Sequence, residues 1–194
     1  MLGKDLYRTV EAAVKGGVSM VQLREKESST REFVERAIRL KEVLTPYGVP
    51  LIINDRVDVA LAADADGVHV GQSDMPYEMV KRLLPEGKII GLSVESPEQV
   101  LEANNYDLDY VAASPVFSTT TKTNTIVEWG LDGLRWIRSV SRHPLVAIGG
   151  IHSNNVASIF KAGADSVAVI SAIVSADDPE RAARELLEKS GEPH

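Results

Sequence analysis

Polar and cationic side chains alternate along one short stretch near the start of the sequence. Gln22, Arg24 and Lys26 are spaced by two residues, so in an extended strand they share one face while their neighbours point the other way. Two cations on one face at the end of a strand predict the mouth of an anion-binding pocket. The alternative is a solvated strand end, in which the cations pair with the adjacent Glu25 or Glu27.

Two carboxylates follow two later apolar runs. Asp55 comes directly after Asn54 at the end of one run, and Asp74 comes three residues after Gly71 at the end of the next. Mg²⁺ commonly binds one or two carboxylates and completes its octahedron with water and phosphate oxygens. The pair therefore predicts a magnesium-diphosphate site beside the two cations. The alternative is that each aspartate caps the helix that follows it.

Two further parts of the sequence suit phosphate groups. Residues 113–124 have no helical or strand period and supply hydroxyls and Lys122, as expected of a lid that closes over a diphosphate. Small residues end the last two apolar runs, at Gly149, Gly150 and Ser171, where backbone amides can approach a phosphate near a helix N-terminus. The alternatives are a merely solvated loop and tight packing between strand and helix.

The four histidines show no spacing typical of metal ligands, and no nucleophile is paired with a base in the sequence. His69 lies within an apolar run and is the one histidine that calls for structural inspection; the others are interpreted as structural or solvated. Catalysis would therefore rest on positioning and electrostatics.

Seven short apolar runs rich in β-branched residues must position these side chains. Both faces of each run are apolar and no hairpin turn joins them, which predicts buried parallel strands. The predicted strands are residues 18–23, 50–53, 67–70, 89–93, 110–113, 145–148 and 166–170. Amphipathic segments of helical period lie around them, at residues 6–15, 31–44, 58–63, 76–84, 97–103, 131–138, 154–161 and 178–188.

This alternation predicts an α/β fold, a barrel in preference to a doubly wound sheet. Because the chain opens with a helix and has one helix more than it has strands, the first strand of a TIM (β/α)8 barrel is expected to be missing or incomplete. In either fold, ligands bind beyond the carboxyl ends of the strands, where the polar residues above lie.

Composition limits the class of protein. The 194 residues, 44% of them hydrophobic, suit one domain over residues 1–194. A net charge of −7 argues against nucleic-acid binding. The sequence has no Cys, signal segment or apolar run of membrane-spanning length, so we expect a cytoplasmic protein without a membrane partner. Whether it forms a homo-oligomer is left open.

Motifs in order along nearly the whole chain resemble the thiamine phosphate synthase family. They are VQLREK at 21–26, INDR at 53–56, GVHVGQSD at 67–74, PVF at 115–117, TTTK at 119–122 and AIGGI at 147–151. The resemblance implies a TIM barrel that uses Mg²⁺ to join a pyrimidine diphosphate, 4-amino-2-methyl-5-(diphosphomethyl)pyrimidine, to a thiazole phosphate. The products would be thiamine phosphate and pyrophosphate, formed by a dissociative substitution without a covalent enzyme intermediate.

The resemblance also assigns roles residue by residue. It implies that Asp55 and Asp74 hold Mg²⁺, and that Arg24, Lys26, Ser93 and Lys122 are catalytic. The implied substrate contacts are Arg24, Lys26, Asn54 and Lys122 for the diphosphate, Gln22 and Ser93 for the aminopyrimidine or its leaving group, and Thr119, Thr121, Gly150, Ile170 and Ser171 for the thiazole phosphate.

Two other functions are considered. A related thiazole tautomerase would have the same fold and thiazole phosphate pocket, but it uses a His just before the Val-Phe pair, where this sequence has Pro115. A non-catalytic, ligand-sensing barrel is the second, suggested by the incomplete first unit. Asp55, Asp74 and Lys122 favour a diphosphate substrate over either.

Overall fold

The computed structural model describes residues 5–118 and 128–191. Seven strands are present in this part of the chain: β1 Val21–Leu23, β2 Leu51–Asn54, β3 Gly67–Val70, β4 Ile89–Val94, β5 Tyr110–Ala113, β6 Leu145–Ile148 and β7 Ser166–Ala168. The helices are α1 Leu6–Lys15, α2 Thr30–Leu44, α3 Val57–Ala62, α4 Tyr77–Leu83, α5 Pro97–Ala103, α6 Gly130–Val140, α7 Val156–Lys161, α8 Ser171–Val174 and α9 Pro179–Ser190, with a 3₁₀ turn at Thr45–Tyr47.

The strands form one parallel sheet whose spatial order follows the order along the chain, from β1 to β7. A doubly wound sheet requires a point where the strand order reverses, and these strands have none. The sheet is strongly curled: the side chain of Gln22 on β1 lies near enough to Tyr110 on β5, across the interior, to act on the pKa of its phenol. The described residues therefore form a barrel wall, as the sequence predicted.

The helices cover the outer face of the sheet, and the first of them meets the last. Helix α1 packs on α9. The chain after α1 passes so close to α9 that a Cβ at Gly16 would overlap the carbonyl oxygen of Glu180. The ring of helices is thus continuous from α9 back to α1.

The sheet itself is open between β1 and β7, which are not hydrogen-bonded to one another among the described residues. Side chains that face the barrel interior are buried on the central strands, as at Ile52, His69 and Ala112. On the flanks of the opening they are exposed: Met20 is 39% exposed and Ile170 54%. A barrel one strand short of eight agrees with the incomplete first unit predicted from the sequence.

Several elements differ from their predicted bounds by one or two residues, and three differences bear on the open side of the barrel. Strand β1 begins at Val21 rather than at 18, because its ladder starts where the amide of Val21 meets the carbonyl of Pro50. Strand β7 ends at Ala168, two residues early. The four-residue helix α8 was not predicted, since one turn has too few residues to show a hydrophobic period.

The glycine that begins β3 is required by close contact with β4. A Cβ on Gly67 would overlap the carbonyl oxygen of Ile89, a backbone atom that cannot move alone. We expect Gly67→Ala to lower the free energy of unfolding by about 3 kcal/mol, the upper range for an overpacked core, as measured by urea denaturation. Gly48→Ala is the control: its Cβ would meet nothing within 4 Å and its φ is 65°, so only left-handed strain of about 1 kcal/mol is added. A smaller loss for Gly67→Ala than for Gly48→Ala would contradict this packing.

Candidate active site

The carboxyl end of β1 carries the two cations found by spacing. Gln22 faces the barrel interior, and Arg24 and Lys26 follow it at alternate positions, with Arg24 half-buried and Lys26 exposed. The alternative of pairing with the neighbouring glutamate is wrong for Glu25, whose carboxylate turns outward and lies 2.9 Å from a guanidinium nitrogen of Arg36 on α2. Within residues 5–118 and 128–191, no ion pair of Arg24 or Lys26 is found. Two cations therefore remain at this strand end.

At the end of β2, Asp55 has an uncommon backbone conformation. Its φ is 65°, in the left-handed region that residues other than glycine rarely adopt. The amide of Asp55 donates to the carbonyl oxygen of His69 on β3 at 2.8 Å, which holds the turn in place. The capping alternative is wrong here, since no side chain caps α3. Strained backbone held by its surroundings is typical of functional sites.

Asp74 lies in the loop after β3 and is also not a helix cap. Helix α4 has no side-chain cap, and Oδ2 of Asp74 accepts instead from the backbone amide of Gly71 at 2.7 Å. The loop leaves little space, because a Cβ on Gly71 would lie 3.0 Å from that same oxygen. In the register of β2 with β3, Asn54 lies opposite His69. Both carboxylates therefore lie at the carboxyl ends of adjacent strands.

The interior below this rim is polar. Ser93 on β4 is 2% exposed, and its Oγ lies 2.8 Å from Nε2 of His69. The side chain of Gln72 donates to the backbone carbonyl of Ser93 at 2.6 Å, so the β3 loop is tied to β4. His69 thus contacts a predicted site residue. Sequence reasoning missed Tyr110, the other ring partner of His69, although an inward Tyr in an otherwise small, apolar strand was a usable signal.

The glycines after β6 are explained first by packing. Gly149 and Gly150 have φ of 101° and 65°. A Cβ on Gly149 would lie 2.7 Å from Pro115, and one on Gly150 2.7 Å from Phe117. The packing alternative therefore accounts for both residues, while phosphate binding at Gly150 stays a prediction. Ser171 begins helix α8, as expected of a residue at a helix N-terminus.

Three predicted residues, Thr119, Thr121 and Lys122, lie outside the described residues. The remaining predicted site residues are on β1, β2 and β4, in the loops after β1, β2, β3, β6 and β7, and at the start of α8. Because the seven described strands are parallel, their carboxyl ends share one rim of the barrel.

Comparison with known proteins gives a consistent result. The sequence model of one family, described as Thiamine monophosphate synthase, matches residues 1–173. The chain belongs to the thiamine monophosphate synthase family. The resemblance stated from the motifs is thereby confirmed. Thiamine-phosphate synthase from Albidiferax ferrireducens is 53% identical over 177 residues, covering 91% of this chain and 81% of the relative.

Two more relatives agree with this membership of the thiamine monophosphate synthase family. The thiamine-phosphate synthase of Vibrio parahaemolyticus is 50% identical over 182 residues, covering 94% of this chain and 89% of the relative. Among solved structures, thiamine phosphate pyrophosphorylase from Pyrococcus furiosus matches with a TM-score of 0.88 and 41% identity, covering 96% of this chain and 89% of that one. Such synthases are transferases, and as a family member this chain is a transferase.

Across residues 5–118 and 128–191, no helix combines the length and the apolar character needed to cross a membrane.

Proposed function

We propose that this chain joins 4-amino-2-methyl-5-(diphosphomethyl)pyrimidine to a thiazole phosphate, forming thiamine phosphate and pyrophosphate. The observation that carries the proposal is the pair Asp55 and Asp74: two carboxylates at adjacent strand ends, neither used as a helix cap. They lie on the same rim as Arg24 and Lys26. Carboxylates and cations that share one rim suit a metal-bound diphosphate.

The donor set fits Mg²⁺. In the described part of the chain, no group of three or more His, Cys, Asp or Glu side chains could hold a metal. An ion bound by Asp55 and Asp74 would thus complete its shell with water and substrate oxygens, which is the habit of Mg²⁺ rather than of Zn²⁺. Asp74 is oriented by the Gly71 amide through one oxygen, so its second oxygen suits a metal. When bound, Mg²⁺ would supply neutralisation of the diphosphate charge.

This arrangement gives individual side chains of the protein their roles in the reaction. The carbon–oxygen bond to the diphosphate breaks, and its electron pair leaves with the diphosphate oxygen. Arg24, Lys26 and Lys122, with the amide of Asn54, stabilise that growing negative charge. The thiazole nitrogen then donates its lone pair to the methylene carbon, which closes the new carbon–nitrogen bond. No enzyme nucleophile takes part, consistent with the lack of a paired nucleophile and base.

The two rings require separate contacts. We assign the aminopyrimidine to the polar interior, with Gln22 and Ser93. The thiazole phosphate is assigned to Gly150, Ile170 and Ser171, which follow β6 and β7, and to Thr119 and Thr121, which lie outside the described residues. The exposed side chain of Ile170, at the C-terminal end of the wall, offers an apolar surface for a ring. The predicted lid, residues 113–124, lies partly outside the described residues. Exclusion of water from the site would protect the methylene cation from hydrolysis.

The rival functions gain no support. Two of the relatives compared above carry the synthase name and the third is a thiamine phosphate pyrophosphorylase, and none of the observations favours a thiazole tautomerase or a ligand-sensing barrel. Localisation in the cytoplasm stays a prediction, supported by the absence of Cys.

A product assay tests the proposal. The purified protein is incubated with both substrates and Mg²⁺, and thiamine phosphate and pyrophosphate are quantified together. We expect the two products in equal amounts and a requirement for both substrates. Calorimetry with each substrate, with and without Mg²⁺, serves as the companion measurement. Tight binding of both substrates without release of pyrophosphate would favour a sensor and refute the proposal.

A further inference from the structure

Three inward-facing side chains from three strands form one chain of hydrogen bonds inside the barrel, and a fourth side chain lies beside it. Gln22 on β1 lies near the hydroxyl of Tyr110 on β5 and acts to lower the pKa of that phenol. That hydroxyl lies 3.0 Å from Nδ1 of His69 on β3, and Nε2 of His69 lies 2.8 Å from Oγ of Ser93 on β4. Tyr110, His69 and Ser93 are all buried. Ser93, at one end of the hydrogen-bond chain, and Gln22, beside the other end, are the residues assigned above to the aminopyrimidine.

Strand β4 is shaped to let this chain form. Gly91 lies between the two rings in the register, opposite His69 on one side and Tyr110 on the other. A Cβ at Gly91 would overlap the phenol ring of Tyr110. Because Gly91 has no side chain, the two rings stack across β4, with centroids 5.5 Å apart. The contact between the His69 and Tyr110 rings therefore depends on the absence of a side chain at Gly91.

The protons of the chain can be counted from its donors and acceptors. Burial raises the pKa of the Tyr110 phenol well above its usual range, and the nearby amide of Gln22 only partly opposes this rise. The phenol is therefore neutral and has one proton to give. A phenol O–H is a stronger donor than an imidazole N–H, so across the 3.0 Å contact that single proton goes to Nδ1 of His69. A neutral imidazole that accepts at Nδ1 has its own proton at Nε2, and this proton goes to Oγ of Ser93.

We propose that Tyr110 and His69 are positioning residues that fix the direction of the Ser93 hydroxyl, so that it donates its proton to the substrate rather than to the protein. This inference rests on the proposed function. Ser93 accepts from His69, which leaves its O–H as a donor. A ring nitrogen of an aminopyrimidine is an acceptor and matches this donor. In the 4-oxo analogue the ring nitrogen beside the carbonyl bears a hydrogen, so two donors would meet.

The consequence is selection between closely similar pyrimidines. A hydrogen bond made to one substrate and turned into a clash with its analogue discriminates far more strongly than a difference in size. We expect the enzyme to prefer the 4-amino over the 4-oxo pyrimidine diphosphate by roughly 100-fold or more in kcat/KM. With Tyr110→Phe the imidazole can take either tautomer, and this preference should fall by about tenfold.

Nuclear magnetic resonance of the ligand-free protein directly tests the hydrogen-bond relay from Tyr110 through His69 to Ser93. In protein labelled with ¹⁵N at its four histidines, the His69 imidazole is assigned by loss of its signals in His69→Gln. We expect the imidazole proton on Nε2, and an unprotonated Nδ1 that accepts a hydrogen bond. The ¹⁵N chemical shift of Nδ1 should change in Tyr110→Phe. A proton on Nδ1 would overturn the proposal, because Ser93 would then donate to His69.

Steady-state kinetics test whether Tyr110 acts through Ser93. Tyr110→Phe and Ser93→Ala should each lower kcat/KM for the pyrimidine diphosphate by about tenfold or more, with the KM for the thiazole phosphate unchanged. The double variant should be no worse than Ser93→Ala alone, since residues in one relay are not additive. Fully additive losses would refute the relay. Tyr47→Phe is the matched control: this hydroxyl donates to Glu11 at 2.8 Å in an exposed contact outside the barrel, and activity should not change.

The relay and the proposed function fail in different ways. If the protein makes no thiamine phosphate yet His69 is protonated at Nε2, the function falls and the hydrogen-bond order stands. If it makes thiamine phosphate while Tyr110→Phe leaves the preference for the 4-amino substrate intact, the function stands and the positioning role falls.

Discussion

Asp55→Asn and Asp74→Asn are each expected to lower turnover by roughly 100-fold or more, the scale on which loss of a charge-stabilising group acts. Each change removes one negative charge from the proposed Mg²⁺ site, so the required Mg²⁺ concentration should rise as well. Asparagine suits both positions. It tolerates the left-handed φ of 65° at Asp55, and at Asp74 its amide oxygen can still accept from the Gly71 amide. The fold should therefore survive, as circular dichroism would show.

The control for these variants is Asp64→Asn at the opposite end of the barrel. Asp64 is also a non-glycine residue at positive φ, 47°, and it pairs with Lys41 and Lys88 before β3 begins. Its substitution should leave turnover and Mg²⁺ dependence unchanged. Wild-type rates in both Asp55→Asn and Asp74→Asn would refute the metal assignment.

Arg24→Gln should have the second large effect. Arg24 offers a charge that no ion pair satisfies within the described residues, and the departing diphosphate is the group it would stabilise. We expect kcat to fall by roughly 100-fold, with little change in the midpoint of urea denaturation. Glutamine keeps the length and hydrogen-bonding capacity of the side chain, so the loss reports the charge.

Arg36→Gln is the matched control, since Arg36 is an arginine nearby that faces away from the rim. It pairs with Glu25 at 2.9 Å and donates to Ser28. We expect a stability loss of about 1 kcal/mol or less from this half-exposed pair and wild-type kcat. Equal losses of kcat in Arg24→Gln and Arg36→Gln would show that general positive charge, rather than a specific contact, is responsible.

Much of the fold followed from local pattern. The apolar runs became strands because buried parallel strands need both faces apolar, and the repeated alternation with helices left few topologies open. The exact ends of β1 and β7 did not follow, since a ladder extends only as far as its neighbour allows. Met20 looks like a strand residue in the sequence, yet it lies outside the ladder on the flank of the opening, where it is partly exposed.

The rim of the site was also predictable, because strand ends in a parallel sheet meet at one edge. The capping alternative for Asp55 and Asp74 could only be decided by geometry, because a capping aspartate and a ligand aspartate have the same sequence position. The cluster of polar side chains inside the barrel could not be predicted from the sequence, for a different reason. Gln22, His69, Ser93 and Tyr110 are far apart in the sequence, and only the curl of the sheet and the missing side chain of Gly91 bring them together.

A crystal structure of the protein grown with Mg²⁺ and pyrophosphate tests the central claim most directly, which is that both carboxylates and both cations serve one diphosphate. We predict a metal ion that joins carboxylate oxygens of Asp55 and Asp74 to pyrophosphate oxygens, with Arg24 and Lys26 on the same anion. A pyrophosphate bound elsewhere on the barrel, or a metal ion that contacts neither aspartate, would contradict the account.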